Sequence, residues 1–134
     1  MAKAKKPPKP KVEKPHNSGT MSRSAFWGFI KSALRQKSRW WRPIREVKMA
    51  ARRPNQSTNA RLKWEFQCQE CNGWFPDKEI SVDHKIPVGS LKGPEDLAGV
   101  VMRLFCEKEG LQCLCDTCHG RKTTEDIKAI RSTQ

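Results

Sequence analysis

Two Cys-x-x-Cys pairs constrain this chain more than any other feature. The first is Cys68-Gln69-Glu70-Cys71, and the second is Cys115-Asp116-Thr117-Cys118, with His119 immediately after it. Four thiols in two close pairs read as one structural zinc site, because Zn²⁺ takes four tetrahedral ligands and favours cysteine sulfur. Closing that site draws the segment between the pairs into one neighbourhood. The segment contains Val82-Asp83-His84-Lys85-Ile86-Pro87. An acid and two imidazoles, Asp83, His84 and His119, are thereby candidates to work together.

A chain of 134 residues with 36% hydrophobic content has room for one modest core plus tails. Structural zinc supplies small domains with roughly 10–16 kcal/mol of apparent binding energy, which suits so thin a core. The first residues are Lys- and Pro-rich with no apolar signal stretch, and no run is long enough to span a bilayer. The expected setting is therefore a reducing cytoplasm (the host's, if the source is viral), with no membrane partner and no disulfides. Cys106 and Cys113 lie at apolar positions and read as buried small hydrophobes. Cys113 is two residues from Cys115 and is the one that competes for a ligand position.

The charge is split along the chain. Residues 1–20 hold six Lys against Glu13, residues 21–65 hold twelve Lys/Arg against Glu46 and Glu65, and the rest is slightly acidic. Essentially all of the net +13 thus precedes the cysteine pairs. A basic half points to a polyanion, and phosphate backbone is the commonest. The plain alternative is a solubilising basic arm, and charge alone does not separate DNA from RNA.

Taken in order, residues 1–20 form an expected disordered basic tail. Residues 21–60 form a basic helical segment. Phe26, Phe29, Ile30, Ala33 and Leu34 recur at helical spacing behind an N-cap at Ser22 or Ser24, and a second helix runs from Pro43 to about Arg53 with Ile44, Val47 and Ala51 inward. Arg39, Arg42, Arg45, Lys48, Arg52 and Arg53 make this segment a candidate DNA-binding surface, joined by Arg61 and Lys63. Trp40 and Trp41 either stack on bases or cover a small core, and the area an indole buries favours the core. Pro54 to Asn59 is a polar loop expected to act as a hinge. Residues 61–134 form the module. Leu62, Trp64 and Phe66 alternate with Lys63, Glu65 and Gln67 as a half-buried strand, and Asn72-Gly73 turns a hairpin at the first pair. A strand through Ile80 and Val82, a helix from Pro94 to Cys106, a strand from Leu111 to Cys115 and a helix from His119 to about Ile130 complete an α+β arrangement.

Phosphodiester hydrolysis needs an activated water, charge stabilisation at phosphorus and help for the leaving oxygen. A histidine suits the first, and a divalent cation on oxygen and imidazole ligands suits the other two. Adjacent residues on a strand point to opposite faces, so Asp83 and His84 act on one phosphate only if the chain bends after Val82. With that bend, Asp83 and His119 hold the ion and His84 takes the proton.

These stretches together carry a family resemblance. Cys-x-x-Cys, then Val-Asp-His-Lys-Ile-Pro-Val-Gly, then Leu-Gln-Cys-Leu-Cys-Asp-Thr-Cys-His-Gly-Arg-Lys-Thr, resembles an HNH endonuclease of the four-cysteine, zinc-containing type. The basic two-helix start and Gly89-Ser90-Leu91 are similar to the small members found in tailed bacteriophages. The resemblance implies a ββα-metal fold in which Asp83 and His119 bind Mg²⁺ or Mn²⁺. It makes His84 the general base and Cys68, Cys71, Cys115 and Cys118 the zinc ligands. It further implies double-stranded DNA as substrate, nicking as the simpler outcome for a monomer or weak dimer, and packaging or processing proteins as the kind of partner. Lys122 adds a candidate phosphate contact. The family often has Asn where this chain has Gly110, bracing the loop that carries the histidine. The rival reading is a zinc-stabilised DNA-binding or regulatory protein without catalysis.

Overall fold

A computed structural model describes residues 4–132. They fold as α1 (Arg23–Ser38), α2 (Arg42–Ala50), β1 (Arg52–Pro54), β2 (Trp64–Gln67), β3 (Trp74–Phe75), β4 (Ile80–His84), α3 (Pro94–Leu104), β5 (Leu111–Cys115) and α4 (Asp116–Ser132). The described residues thus mix helix and sheet, as an α+β class requires. Strands β1, β2 and β3 form one antiparallel sheet in that order, and β4 pairs antiparallel with β5 in another. No helix among the described residues is long and apolar enough to cross a membrane.

Helix α1 starts where Ser22 accepts a hydrogen bond from the Ala25 N–H, a side-chain cap on one of the unpaired first-turn donors. Its inward stripe is narrower than expected. Trp27, Ile30 and Leu34 pack on a core of Val88, Leu91, Val100 and Leu104, whereas Phe29 is 58% exposed and Ala33 faces solvent. One partner helix, α3, covers one stripe, and Trp27 takes the place that periodicity assigned to Phe29. Phe26 instead stacks on His16, whose backbone pairs with Met21, so ordered packing begins ahead of α1. Residues 4–15 have no helix or strand and lie exposed.

Helix α2 stops at Ala50 rather than near Arg53. Pro54 disfavours helical backbone at Arg53, and the chain there turns into β1, with Arg53 opposite Glu65 and Arg52 opposite Phe66. Because β1 and β2 are paired, Pro54 to Asn59 is part of a hairpin connection and not a hinge. The Asn55 side-chain amide bonds the carbonyls of Asn59 and Leu62, holding that loop shut. Glu65, expected on the solvent side, is only 7% exposed. Arg53 reaches it at 2.6 Å and lies over the Trp74 ring at 3.7 Å.

A second core lies beneath the cysteine pairs. Phe66, Ile80, Cys113 and Leu114 fill it, with Val47 and Ala51 packed against it from α2 and its end. The basic helices are thus built into the module: α1 lies on α3, and α2 lies on β5 and β4. Trp41 ties them together, donating its indole N–H to the Cys106 carbonyl at 2.7 Å and meeting Phe105 edge-on. Trp40 does not join a core.

Candidate metal centre

The first cysteine pair sits in the bend between β2 and β3. Cys68 N–H bonds the Gly73 carbonyl, Asn72 N–H bonds the Cys68 carbonyl, and Asn72 takes the left-handed conformation (φ 62°) that closes the turn. The second pair spans the last residue of β5 and the first turn of α4. Gln69 joins the two elements. Its N–H donates to the Cys113 carbonyl at 2.9 Å, and its side-chain oxygen accepts the Cys113 N–H at 3.2 Å. Nothing in the pattern of the sequence marked Gln69 for that task.

The result is a group of four sulfurs, from Cys68, Cys71, Cys115 and Cys118, all within 4.8 Å of one another. Zn–S bonds of about 2.3 Å place the corners of a tetrahedron about 3.8 Å apart. The Cys71–Cys115 sulfur separation of 3.9 Å matches that edge. Sulfur donors in this geometry fit a structural metal such as zinc. Cys68, Cys115 and Cys118 are buried and Cys71 is exposed, which gives an ion one route in. The thiols are electrostatically unequal. Burial pushes Cys68 up, but N–H donors from Cys71, Cys115 and Glu70 outweigh it and bring it down to about 6. Cys118 is pushed up to about 12 by burial and by the neighbouring sulfurs. One thiolate is welcome here and further ones repel, which is the load a divalent cation relieves. Cys113 stays out of the cluster. It is fully buried in the core, with its sulfur 3.9 Å from the Val47 carbonyl. Cys106 is half-buried rather than core.

Beside this cluster, β4 and α4 bring Asp83 and His119 together. Asp83 Oδ1 lies 3.7 Å from His119 Nε2, and Asp83 Oδ2 lies 3.2 Å from Lys122 Nζ. Lys122 also bonds Asp126, four residues on. Burial lowers the Lys122 ammonium's pKa, but the two carboxylates more than compensate and hold it above the ordinary lysine value. Two ligand atoms on one octahedral ion at about 2.1 Å sit about 3.0 Å apart when cis and about 4.2 Å when trans. The Asp83–His119 spacing lies between the two values, so the pair would have to close or open slightly to share an octahedral ion, and Lys122 is the cation that faces Asp83 here. Such an ion would compete with Lys122 for Asp83.

His84 is not part of that group. The bend expected after Val82 is absent: β4 pairs with β5 without a break through Asp83–Gln112 and His84–Leu111. Regular alternation then sends the two side chains to opposite faces. His84 Nε2 lies 3.0 Å from the carbonyl of Leu104. A carbonyl only accepts, so Nε2 is the donor in this contact, and in the neutral ring Nδ1 is the nitrogen left with a lone pair. Leu104 is the last residue of α3, where carbonyls lack partners within the helix, so this contact satisfies an orphan acceptor while fixing the ring.

The same region accounts for Gly110. A Cβ there would meet Cys106 Sγ at 2.8 Å, so a larger side chain such as Asn needs Cys106 to move. The Gly110 carbonyl instead accepts the Lys85 N–H at 2.9 Å, extending the β4–β5 ladder past His84. Backbone, from Leu104 and Gly110, does the bracing.

The basic residues divide into two groups. Arg53 is held by Glu65 and Trp74, Arg52 lies over Trp64 at 4.1 Å, Lys48 pairs with Asp77, and Lys122 pairs as above. Arg39, Arg45, Arg61 and Lys63 are exposed and form no ion pair among the described residues, while Arg42 pairs with Glu46 at the surface. Arg39, Arg42, Arg45 and Lys48 line one shallow depression. No family model matches the chain, and no curated protein and no solved structure matches it either.

Proposed function

We propose that the protein is a metal-dependent endonuclease that hydrolyses phosphodiester bonds in DNA, of the HNH type its sequence resembles. The observation that carries this reading is the meeting of Asp83 and His119, 36 positions apart in sequence, at 3.7 Å beside the four-sulfur cluster. In this reading zinc bears only on the fold, and a Mg²⁺ or Mn²⁺ ion belongs to Asp83 and His119. Such an ion, when bound, supplies charge stabilisation at the phosphate and at the leaving oxygen. His84 takes the proton from the attacking water at Nδ1, its ring held by the Leu104 carbonyl. Because His84 and Asp83 leave opposite faces of β4, this reading requires the end of that strand to rearrange when DNA binds, so that both side chains reach one phosphate. Lys122, paired here with Asp83 and Asp126, would be available to a phosphate oxygen if a cation took over Asp83.

The second reading, a zinc-stabilised DNA-binding protein without catalysis, is favoured by the Asp83–Lys122 ion pair and by the unbroken β4. Incubation of supercoiled plasmid with Mg²⁺, Mn²⁺ or chelator separates the two. The nuclease reading expects metal-dependent nicking, reduced by about 10²–10⁴ in His84→Ala. Unchanged nicking in His84→Ala removes the base assignment. No nicking by the zinc-loaded wild type supports the second reading.

A further inference from the structure

Trp40 is 83% exposed, although a tryptophan next to a small core ordinarily closes over it. It sits in the short connection between α1 and α2, at the margin of a depression of about 840 Å³. That volume lies in the range of clefts that take small ligands, ~300–1,000 Å³. Ile44, Met49 and Phe66 supply its apolar surface. The two acids on its wall are already engaged, Glu46 with Arg42 and Asp77 with Lys48. Arg39 and Arg45, also on the wall, have no acidic partner among the described residues, so the depression carries uncompensated positive charge.

A flat exposed indole, an apolar floor and free guanidinium groups are complementary to a ligand with flat apolar faces and a negative charge at each repeat. Single-stranded nucleic acid has both. Duplex DNA has the charge but keeps its bases stacked inside, where Trp40 has no access. We infer that the depression between α1 and α2 is a single-strand nucleic-acid site, in which one unpaired base stacks on Trp40 while Arg39 and Arg45 take the flanking phosphates. This deepens the proposed function and rests on it for the choice of polyanion. It also predicts that the protein prefers DNA with an unpaired segment, such as a junction, a flap or a melted end. The site uses none of Asp83, His84 or His119.

The test measures fluorescence anisotropy of labelled oligothymidylate and of a blunt duplex, with zinc-loaded full-length protein and no Mg²⁺ or Mn²⁺, so that cleavage plays no part. Trp40→Ala is expected to weaken single-strand binding about 5- to 150-fold and to leave duplex binding within about twofold. Its salt dependence should not change, because stacking releases no counterions. Trp40→Phe should recover most of the loss. Arg45→Ala should weaken single-strand binding and lower the magnitude of its log–log salt slope by about 0.7. Trp40→Ala losses that are equal on both forms, or absent on both, overturn the site and leave the DNA reading standing. If wild type binds neither form, both fall, and an anionic aromatic peptide becomes the better candidate occupant. Each variant's zinc content and circular dichroism show that it is folded, since an exposed residue such as Trp40 supports no core.

Discussion

Gly110→Ala is the substitution whose cost follows most directly from the geometry. The added Cβ meets Cys106 Sγ at 2.8 Å and Cys106 Cβ at 3.2 Å, against ordinary contacts of about 3.5–4.0 Å. The Cys106 sulfur can swing aside, but its Cβ moves only with the backbone, which is held on both sides. The Cys106 carbonyl accepts the Trp41 indole N–H, and the Gly110 carbonyl accepts the Lys85 N–H beside His84. Overpacking of this kind costs about 1–3 kcal/mol. For a chain of this length that is about 3–15 °C in melting temperature. The assay is thermal unfolding of the zinc-loaded protein by circular dichroism. Cys106→Ala removes the sulfur and should return more than half of the loss in the double variant, since contacting pairs couple by about 0.5–3 kcal/mol. A Gly110→Ala protein that melts within about 1 °C of wild type, or a double variant no better than the single, refutes the steric account of why this position is glycine.

Two further outcomes follow from the charges. Arg53→Ala leaves the buried Glu65 carboxylate without its charged partner, and should cost about 2–4 kcal/mol in denaturant unfolding. Adding Glu65→Gln should recover part of it, because a neutral amide is cheaper to bury than an unpaired carboxylate; no recovery would mean that the unpaired Glu65 charge is not the source of the loss. Zinc binding at pH 7 should release at least the protons of Cys71 and Cys118, both of which have raised pKa values, whereas Cys68 at about 6 is largely ionised already. In the metal-free chain the lowered Cys68 contributes stability that is fully present above its ordinary value of 9.0 and fades as pH falls through 6. The raised Cys118 works in the opposite sense, helping below 9.0 and losing that help as pH rises towards 12. Zinc affinity, followed by competition with a chromophoric chelator, should therefore fall by about 10² or more for each pH unit lost below 7. An affinity flat with pH would rule out thiol ligation.

Much of the cysteine module was legible because local signals agree with tertiary ones there. Leu111 to Cys115 reads as a short apolar strand and is one, Asn72-Gly73 turns the hairpin, and Leu97, Val100 and Leu104 lie on the inward face of α3. The spacing of the four cysteines carried the metal site. The misses occurred where a partner decides the face. Glu65 reads as solvent-facing until Arg53 is known to reach it, and Arg53 reads as helical until β2 pairs with it. Trp40 and Trp41 are indistinguishable in sequence, yet Trp41 finds the Cys106 carbonyl and Trp40 finds nothing. The Leu104 carbonyl that holds His84 has no sequence signature at all, since a backbone acceptor is supplied by any residue at a helix end. Asp83 and His119 were expected together and lie together; His84, one residue away, was expected with them and faces elsewhere because β4 does not bend.

The proposed chemistry requires two kinds of metal ion, one in the sulfur cluster and one at Asp83 and His119. Titration of zinc-loaded protein with Mn²⁺, read by electron paramagnetic resonance of the free ion, measures this directly. The expected result is one Mn²⁺ site per chain, weakened at least about tenfold by Asp83→Asn and by His119→Ala, with one zinc retained throughout. Mn²⁺ binding unchanged in both variants, or zinc lost along with it, would contradict the assignment of Asp83 and His119 to a separate ion.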